Sequence, residues 1–103
     1  MKKVTVNINK ALRDGINTEA AMQRAWKLDM NNVQKCSHVI GVASGNIMGI
    51  YRILNVVQDA ELHDRIAFNL AACTVAEELE IKNQIIQTQI GLKYFVTKYI
   101  DNN

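Results

Sequence analysis

The most constraining feature of this sequence is a pair of β-rich runs joined by a short turn. The runs are residues 38–43 and 47–54, and residues 44–46 between them read Ser-Gly-Asn. Because glycine and asparagine readily adopt the left-handed backbone of tight hairpin turns, the pattern predicts a β-hairpin. The second run is apolar on both faces, which predicts a central strand. Gly41 and Gly49 fall inside the runs and predict a bulge, a bend or a close backbone approach.

Three further segments have the pattern of strands. Residues 4–8 and 65–71 alternate between apolar and polar side chains, which is typical of half-buried strands. Residues 93–100 predict a last strand. The polar residues 10–15 and 55–64 predict connections.

Two segments have the spacing of helices. Residues 18–34 place apolar side chains at steps of three and four, with Trp26 on the apolar side and Asn17 or Thr18 as the N-cap. A second helix is predicted to begin near Thr74 and to end at Gly91. Its first residues fit a capping box, in which the hydroxyl of Thr74 and the carboxylate of Glu77 each accept a backbone N–H.

The predicted order of elements is β-α-β-β-β-α-β. This order predicts a single α+β domain over residues 1–103, with two helices and a mainly antiparallel sheet that curls or closes into a small barrel.

Composition excludes several classes of protein. The chain has 103 residues with 12 Lys and Arg against 10 Asp and Glu, so a strongly basic, histone-like binder is excluded. The sequence has no run of 18 apolar residues and no apolar signal-peptide region at its start, so we expect a cytoplasmic protein with no membrane partner. The 11 Asn, the 12 Ile and the absence of proline are typical of AT-rich genomes, and we expect a phage-encoded protein.

The residues that could support chemistry do not form a recognisable motif in the sequence. His38 and His63 have no Cys, His, Asp or Glu companion at zinc spacing, and Cys36 and Cys73 are interpreted as small buried residues. A ribonuclease could use His38, Tyr51 and Arg52, but the sequence provides no catalytic base with a second side chain that orients it. We therefore expect no catalytic residue, no metal and no cofactor.

Positive charge is concentrated in the first third of the chain. Residues 1–35 hold seven Lys and Arg against three acidic residues, a net charge of +4, whereas residues 36–73 and 74–103 each carry −1. Such a surface either binds phosphates or is a solvated face without a ligand. Arg52 and Arg65 lie in otherwise apolar runs, where an arginine either borders the sheet or lines a pocket.

The segment from Trp26 to Ile53, followed by Arg65-x-x-Phe68 and an ending with Gly91, Phe95 and Tyr99-Ile100, resembles the small PUA/EVE-like modules of phages and of bacterial restriction and defence proteins. The chain departs from that pattern at Phe95, where the modules have proline, and it has no tryptophan after the hairpin. The resemblance implies a nucleic-acid-binding barrel without chemistry of its own.

Two functions remain open from the sequence. One is a non-enzymatic protein that binds RNA or DNA through its basic N-terminal surface. The other is a counter-defence protein that inhibits a host defence enzyme or toxin, with nucleic acid as a possible scaffold. Because unpaired sheet edges favour self-association, we expect a homodimer under either function. The candidate nucleic-acid contacts are Lys10, Arg13, Arg24, Lys27, Tyr51, Arg52 and Arg65.

Overall fold

The computed structural model describes residues 2–44, 46–62, 64–89 and 98–101. Within these ranges six strands form one sheet and four helices accompany it. The strands are β1 (Lys2–Asn7), β2 (Arg24–Trp26), β3 (Cys36–Ala43), β4 (Asn46–Gln58), β5 (Ile66–Ala72) and β6 (Lys98–Asp101). The helices are α1 (Asn9–Arg13), α2 (Thr18–Gln23), α3 (Met30–Val33) and α4 (Val75–Gln89).

The described strands are arranged in the order β2-β5-β4-β3-β1-β6. Strands β1 and β3 are parallel, and the other four neighbouring pairs are antiparallel. The predicted α+β class and mainly antiparallel sheet are therefore confirmed. The barrel alternative is wrong for the described strands, because a barrel requires its two outermost strands to pair, and β2 and β6 lie at opposite ends of the sheet.

The predicted hairpin is confirmed and extends further than expected. Strands β3 and β4 pair antiparallel, and Ser44 in the turn has the left-handed φ of 51°. Strand β4 continues to Gln58, which pairs with Ile66, so the connection predicted to begin at residue 55 begins only after the strand ends. Polar side chains do not end this strand, because Asn55 and Gln58 are exposed to solvent.

The single helix predicted over residues 18–34 is wrong. Of the two residues expected as its N-cap, Asn17 is the one that caps α2: its side chain accepts the N–H of Ala20 at 2.8 Å. The helix then stops at Gln23, because the indole N–H of Trp26 donates to the carbonyl of Met22 at 3.0 Å. In a continuing helix that carbonyl would accept the backbone N–H of Trp26. Residues 24–26 instead pair with β5 as strand β2.

Two other expected elements also differ or fall partly outside the described residues. The connection predicted over residues 10–15 contains the short helix α1. The last strand is predicted over residues 93–100, and its described part is β6, in which Ile100 pairs with Lys3 of β1. Residues 93–97 lie outside the described ranges, and so does Gly91, the predicted end of the second helix. No helix in the described part of the chain has the length and apolarity needed to span a bilayer.

The two faces of the sheet are covered by different helices. On one face, Val39 of β3 belongs to a buried cluster with Met22 of α2 and Val33 of α3. On the other face, Ile40 of β3 packs with Ile81 of α4. Successive side chains of a strand point to opposite faces, so the alternation along β3 separates the two halves of the core.

Gly41 explains how α2 approaches the sheet so closely. A Cβ atom at this position would lie 2.6 Å from the sulfur of Met22, whose side chain is fully buried. The register of β3 against β4 also shifts between Gly41 and Val42. The predicted bulge and the predicted close approach therefore both occur here.

Candidate functional site

The first candidate region is built on the short helix α1. The side chain of Asn7 accepts the N–H of Asn9 at 2.9 Å where the helix begins. At its end Gly15 adopts a left-handed φ of 83°, and the N–H groups of Gly15 and Ile16 donate to the carbonyls of Leu12 and Ala11. This pattern is a Schellman motif, which requires a residue that tolerates positive φ.

An open groove of about 760 Å³ lies beside α1, and we call it the α1 groove. Its apolar lining includes Ile16, Trp26 and Leu62, together with alanines of α1 and α2. Its polar lining is Asn7, Lys10, Asp14 and Glu61. The groove therefore combines an aromatic wall with one positive and two negative side chains.

Trp26 presents apolar ring surface to this groove. Its side chain is partly buried against the core that contains Met22 and Phe68. Because the indole N–H already donates to the carbonyl of Met22, the ring has no polar group that still needs a partner. An aromatic ring in this state offers a surface on which a flat ligand can stack.

The structure brings together only part of the predicted nucleic-acid surface. Lys10, Arg13 and Lys27 are exposed, and Lys10 lines the groove together with Trp26. Arg24 belongs to β2, although only its backbone is described. Lys3 adds nothing to an exposed surface because only 5% of it is accessible.

Tyr51, Arg52 and Arg65 do not join that surface as one group. Tyr51 and Arg52 are neighbours in β4, so they point to opposite faces of the sheet. Burial, and then the nearby Glu19, raise the pKa of the Tyr51 hydroxyl above its usual value. Arg65 precedes β5 and lies 3.9 Å from Asp64. The structure therefore places Tyr51, Arg52 and Arg65 apart from one another, and their contacts with nucleic acid stay a prediction.

The second candidate region lies on the other face of the sheet, and we call Ser37, His38, Arg52, Cys73 and Glu77 the His38 cluster. The Nε2 atom of His38 is 2.6 Å from Oε2 of Glu77, and its Nδ1 atom is 2.7 Å from the hydroxyl of Ser37. The guanidinium of Arg52 donates to the carbonyl of Ala72 at 3.2 Å, and its Nε atom is 3.7 Å from Oε1 of Glu77.

The start of α4 holds Glu77 in place, and the predicted capping box is confirmed. The N–H of Thr74 donates to Oε1 of Glu77 at 3.3 Å, and the N–H of Glu77 donates to the hydroxyl of Thr74 at 3.1 Å. Hydrogen bonding to His38 is the main cause that lowers the pKa of Glu77, and the bond from Thr74 acts in the same direction. The carboxylate thus caps the helix through one oxygen and meets the histidine through the other.

Cys73 completes the cluster between β5 and α4. The sulfur of Cys73, a ring nitrogen of His38 and a carboxylate oxygen of Glu77 lie within 4.8 Å of one another. Burial, followed by the negative charges of Glu77 and Glu78, raises the pKa of the Cys73 thiol to about 11. The sulfur is therefore protonated at neutral pH in this arrangement. Cys36 is instead buried in the core, as expected, and its thiol donates to the carbonyl of Asn32.

His38 has no companion at zinc spacing in the sequence, but in three dimensions it lies beside Cys73 and Glu77. Cys73 and Glu77 are four residues apart at the start of a helix, and His38 shares a face of β3 with Ile40, which packs on that helix. The strand alternation and the helix spacing were both available in the sequence, but the packing of α4 on β3 was not. The ribonuclease trio is not assembled, since Tyr51 lies on the opposite face from His38 and Arg52.

Comparisons with known proteins leave the resemblance to PUA/EVE-like modules as a prediction. No family model, curated protein or solved structure matches this chain.

Proposed function

We propose that this chain is a non-enzymatic, phage-encoded cytoplasmic protein that binds single-stranded RNA or DNA at the α1 groove. The observation that carries the proposal is that Lys10 and Trp26 line the same open groove. Arg13 follows Lys10 on α1 and is exposed, and Lys27 follows Trp26 and is also exposed. Cations beside an aromatic wall are the combination that single-stranded nucleic acids require.

The phosphates lie outside the groove in this proposal. Lys10 in the groove lining and the exposed Arg13 and Lys27 attract them, while a base enters the groove and stacks on Trp26. Stacking of one base on an aromatic side chain contributes about 1–3 kcal/mol. Three phosphate contacts predict that the logarithm of the binding constant falls with the logarithm of salt concentration with a slope of about −2.

The two carboxylates of the groove shape its preference for bases. Asp14 and Glu61 repel phosphates from the interior, but they can accept hydrogen bonds from the exocyclic amino groups of cytosine and adenine. Uracil and thymine have no such amino group. We therefore expect oligocytidine to bind more tightly than oligouridine.

The test is a binding titration of the full chain with fluorescently labelled single-stranded oligonucleotides, followed by anisotropy at several salt concentrations. The double variant Lys10→Gln/Arg13→Gln should weaken binding and reduce the salt slope from about −2 to about −0.7, since each phosphate contact contributes about −0.7. Lys82→Gln, which removes a positive charge from α4 on the other face, is the matched control. Binding that ignores salt, or that both variants weaken equally, contradicts the proposal.

A second candidate function is inhibition of a host defence enzyme or toxin through α4. The observation that favours it is a pair of exposed apolar side chains one helical turn apart, Val75 at 74% and Leu79 at 56% exposure. Such a pair fits the apolar groove of a protein partner. A stoichiometric bacterial partner should then remain bound after nuclease treatment and be lost in Val75→Ser/Leu79→Ser. Gel filtration of the same variant shows whether the pair instead joins two copies of this chain.

A further inference from the structure

We propose that His38, Cys73 and Glu77 form a binding site for a zinc-type divalent metal ion. Their three ligand atoms lie within 4.8 Å of one another. In a tetrahedral site with zinc–ligand bonds of about 2.0–2.3 Å, the ligand atoms are about 3.3–3.8 Å apart. Side-chain rotations that draw the donors together by about 1 Å would therefore enclose one ion. This site is on the opposite face from the α1 groove and is independent of nucleic-acid binding.

The donor atoms select the class of metal. Calcium and magnesium prefer a shell of oxygen ligands, of which the trio offers one carboxylate. A thiolate sulfur and an imidazole nitrogen suit zinc and its borderline neighbours, and a carboxylate oxygen is also a common zinc ligand. Cys73, His38 and Glu77 therefore favour zinc over the hard cations.

Two of the ligands are already oriented by their neighbours. The hydroxyl of Ser37 lies 2.7 Å from Nδ1 of His38, which directs Nε2 towards Glu77. Metal-bound histidines usually hold their second ring nitrogen by such a hydrogen bond. The N–H of Thr74 holds Oε1 of Glu77, so that Oε2 faces the histidine. The cluster thus reduces the conformational entropy that the ligands lose when an ion binds.

Metal binding at this site releases one proton and moves another. The 2.6 Å contact between Nε2 of His38 and Oε2 of Glu77 requires one shared proton, since both atoms would otherwise be acceptors. The thiol of Cys73 carries a second proton. A bound ion would displace the thiol proton to solvent, while the proton on Nε2 of His38 would move to Nδ1, where the hydroxyl of Ser37 can accept it.

Arg52 determines what the fourth position of the ion can hold. Thiolate and carboxylate together neutralise a divalent ion, so the nearby guanidinium faces a metal site without net positive charge. Its Nε atom is 3.7 Å from Glu77, and half of its side chain is exposed, at 51%. Its positive charge beside the carboxylate ligand favours water or an exogenous anion as the fourth ligand.

The test is calorimetric titration of the full chain with Zn²⁺, together with the visible spectrum of the Co²⁺ complex. We expect one ion per chain and the intense visible bands of tetrahedral Co²⁺ with a thiolate ligand. Cys73→Ala and His38→Gln should each weaken binding by at least about 100-fold, because loss of a supporting hydrogen bond alone costs about 10- to 100-fold. Ser37→Ala, which removes only such a support, should weaken binding by about 10-fold.

The chain offers a matched control for each ligand. Cys36→Ala, His63→Gln and Glu61→Gln remove the same chemical groups at other positions of the sequence and should change the affinity by less than about 3-fold. Absence of one-to-one binding overturns the proposal, and so does binding that Cys73→Ala leaves unchanged. Circular dichroism of each variant checks its folding.

A second measurement keeps the proposal testable if a ligand variant does not fold. In the Cys36→Ala protein Cys73 is the one remaining thiol, and Zn²⁺ should slow its alkylation by at least about 10-fold. An alkylation rate that Zn²⁺ does not change overturns the proposal.

Discussion

The α1 groove and the His38 cluster differ in how their residues meet. The groove is built mostly from neighbours in sequence, residues 7–26, with residues 61 and 62 as its far wall. The cluster joins residues of β3, β4 and α4 that lie up to 40 positions apart. The groove is open and largely apolar, whereas hydrogen bonds connect the members of the cluster. An open apolar surface suits a flat organic ligand, and a connected polar cluster suits a single ion.

The largest expected effect is the loss of stability when the buried side chain of Met22, which holds α2 against the sheet, is removed. Met22→Ala deletes a fully buried side chain that holds α2 against Gly41, and it should lower the free energy of unfolding by about 2–5 kcal/mol. Met48→Ala is the matched control, since 46% of Met48 is exposed and its loss should cost less than about 0.5 kcal/mol. Urea unfolding curves measure both values. Equal losses in the two variants would contradict the packing of α2 described above.

The second largest effect concerns the reactivity of the Cys73 thiol in the His38 cluster. With a pKa of about 11 against the ordinary 9.0, Cys73 should hold about 100-fold less thiolate at pH 8 than an ordinary thiol. Because a higher pKa also makes a thiolate more nucleophilic, alkylation by iodoacetamide in the Cys36→Ala protein without metal should be about 10-fold slower than alkylation of a model thiol. A rate equal to that of the model thiol would show that neither burial nor the charges of Glu77 and Glu78 raise the pKa of this thiol.

The smallest effects separate the two regions through their helix caps. Asn17→Ala removes the N-cap of α2, and Thr74→Ala removes that of α4; each should cost about 0.5–2 kcal/mol of stability. Asn17→Ala should weaken nucleic-acid binding more than Zn²⁺ binding, and Thr74→Ala should do the reverse, because Thr74 positions Glu77. If each variant weakens both activities equally, the two regions are coupled and the comparison fails.

The sequence predicted elements that depend on local chemistry. The hairpin around residues 44–46, the N-cap Asn17 and the capping box of Thr74 and Glu77 are each confirmed. All three depend on residues within a few positions of one another, so their physical cause is visible in the chain itself.

The features that the sequence did not predict correctly depend on contacts between distant parts of the chain. The periodicity of residues 18–34 is helical, yet pairing with β5 and the side-chain bond of Trp26 override it. In the same way, the companions of His38 become neighbours only when α4 packs on β3. Tertiary contacts of this kind leave no fixed spacing in a sequence.

The most direct test of the central claim, that single-stranded nucleic acid binds in the α1 groove, uses the fluorescence of Trp26. Trp26 is the one tryptophan of the chain, so the emission reports on the wall of the groove alone. Titration with unlabelled oligocytidine at 50 mM salt should quench this emission, and the quenching should weaken as salt is raised or when Lys10 and Arg13 are changed to glutamine. Nucleic-acid binding that leaves the emission of Trp26 unchanged, or no binding at this salt concentration, would contradict the account.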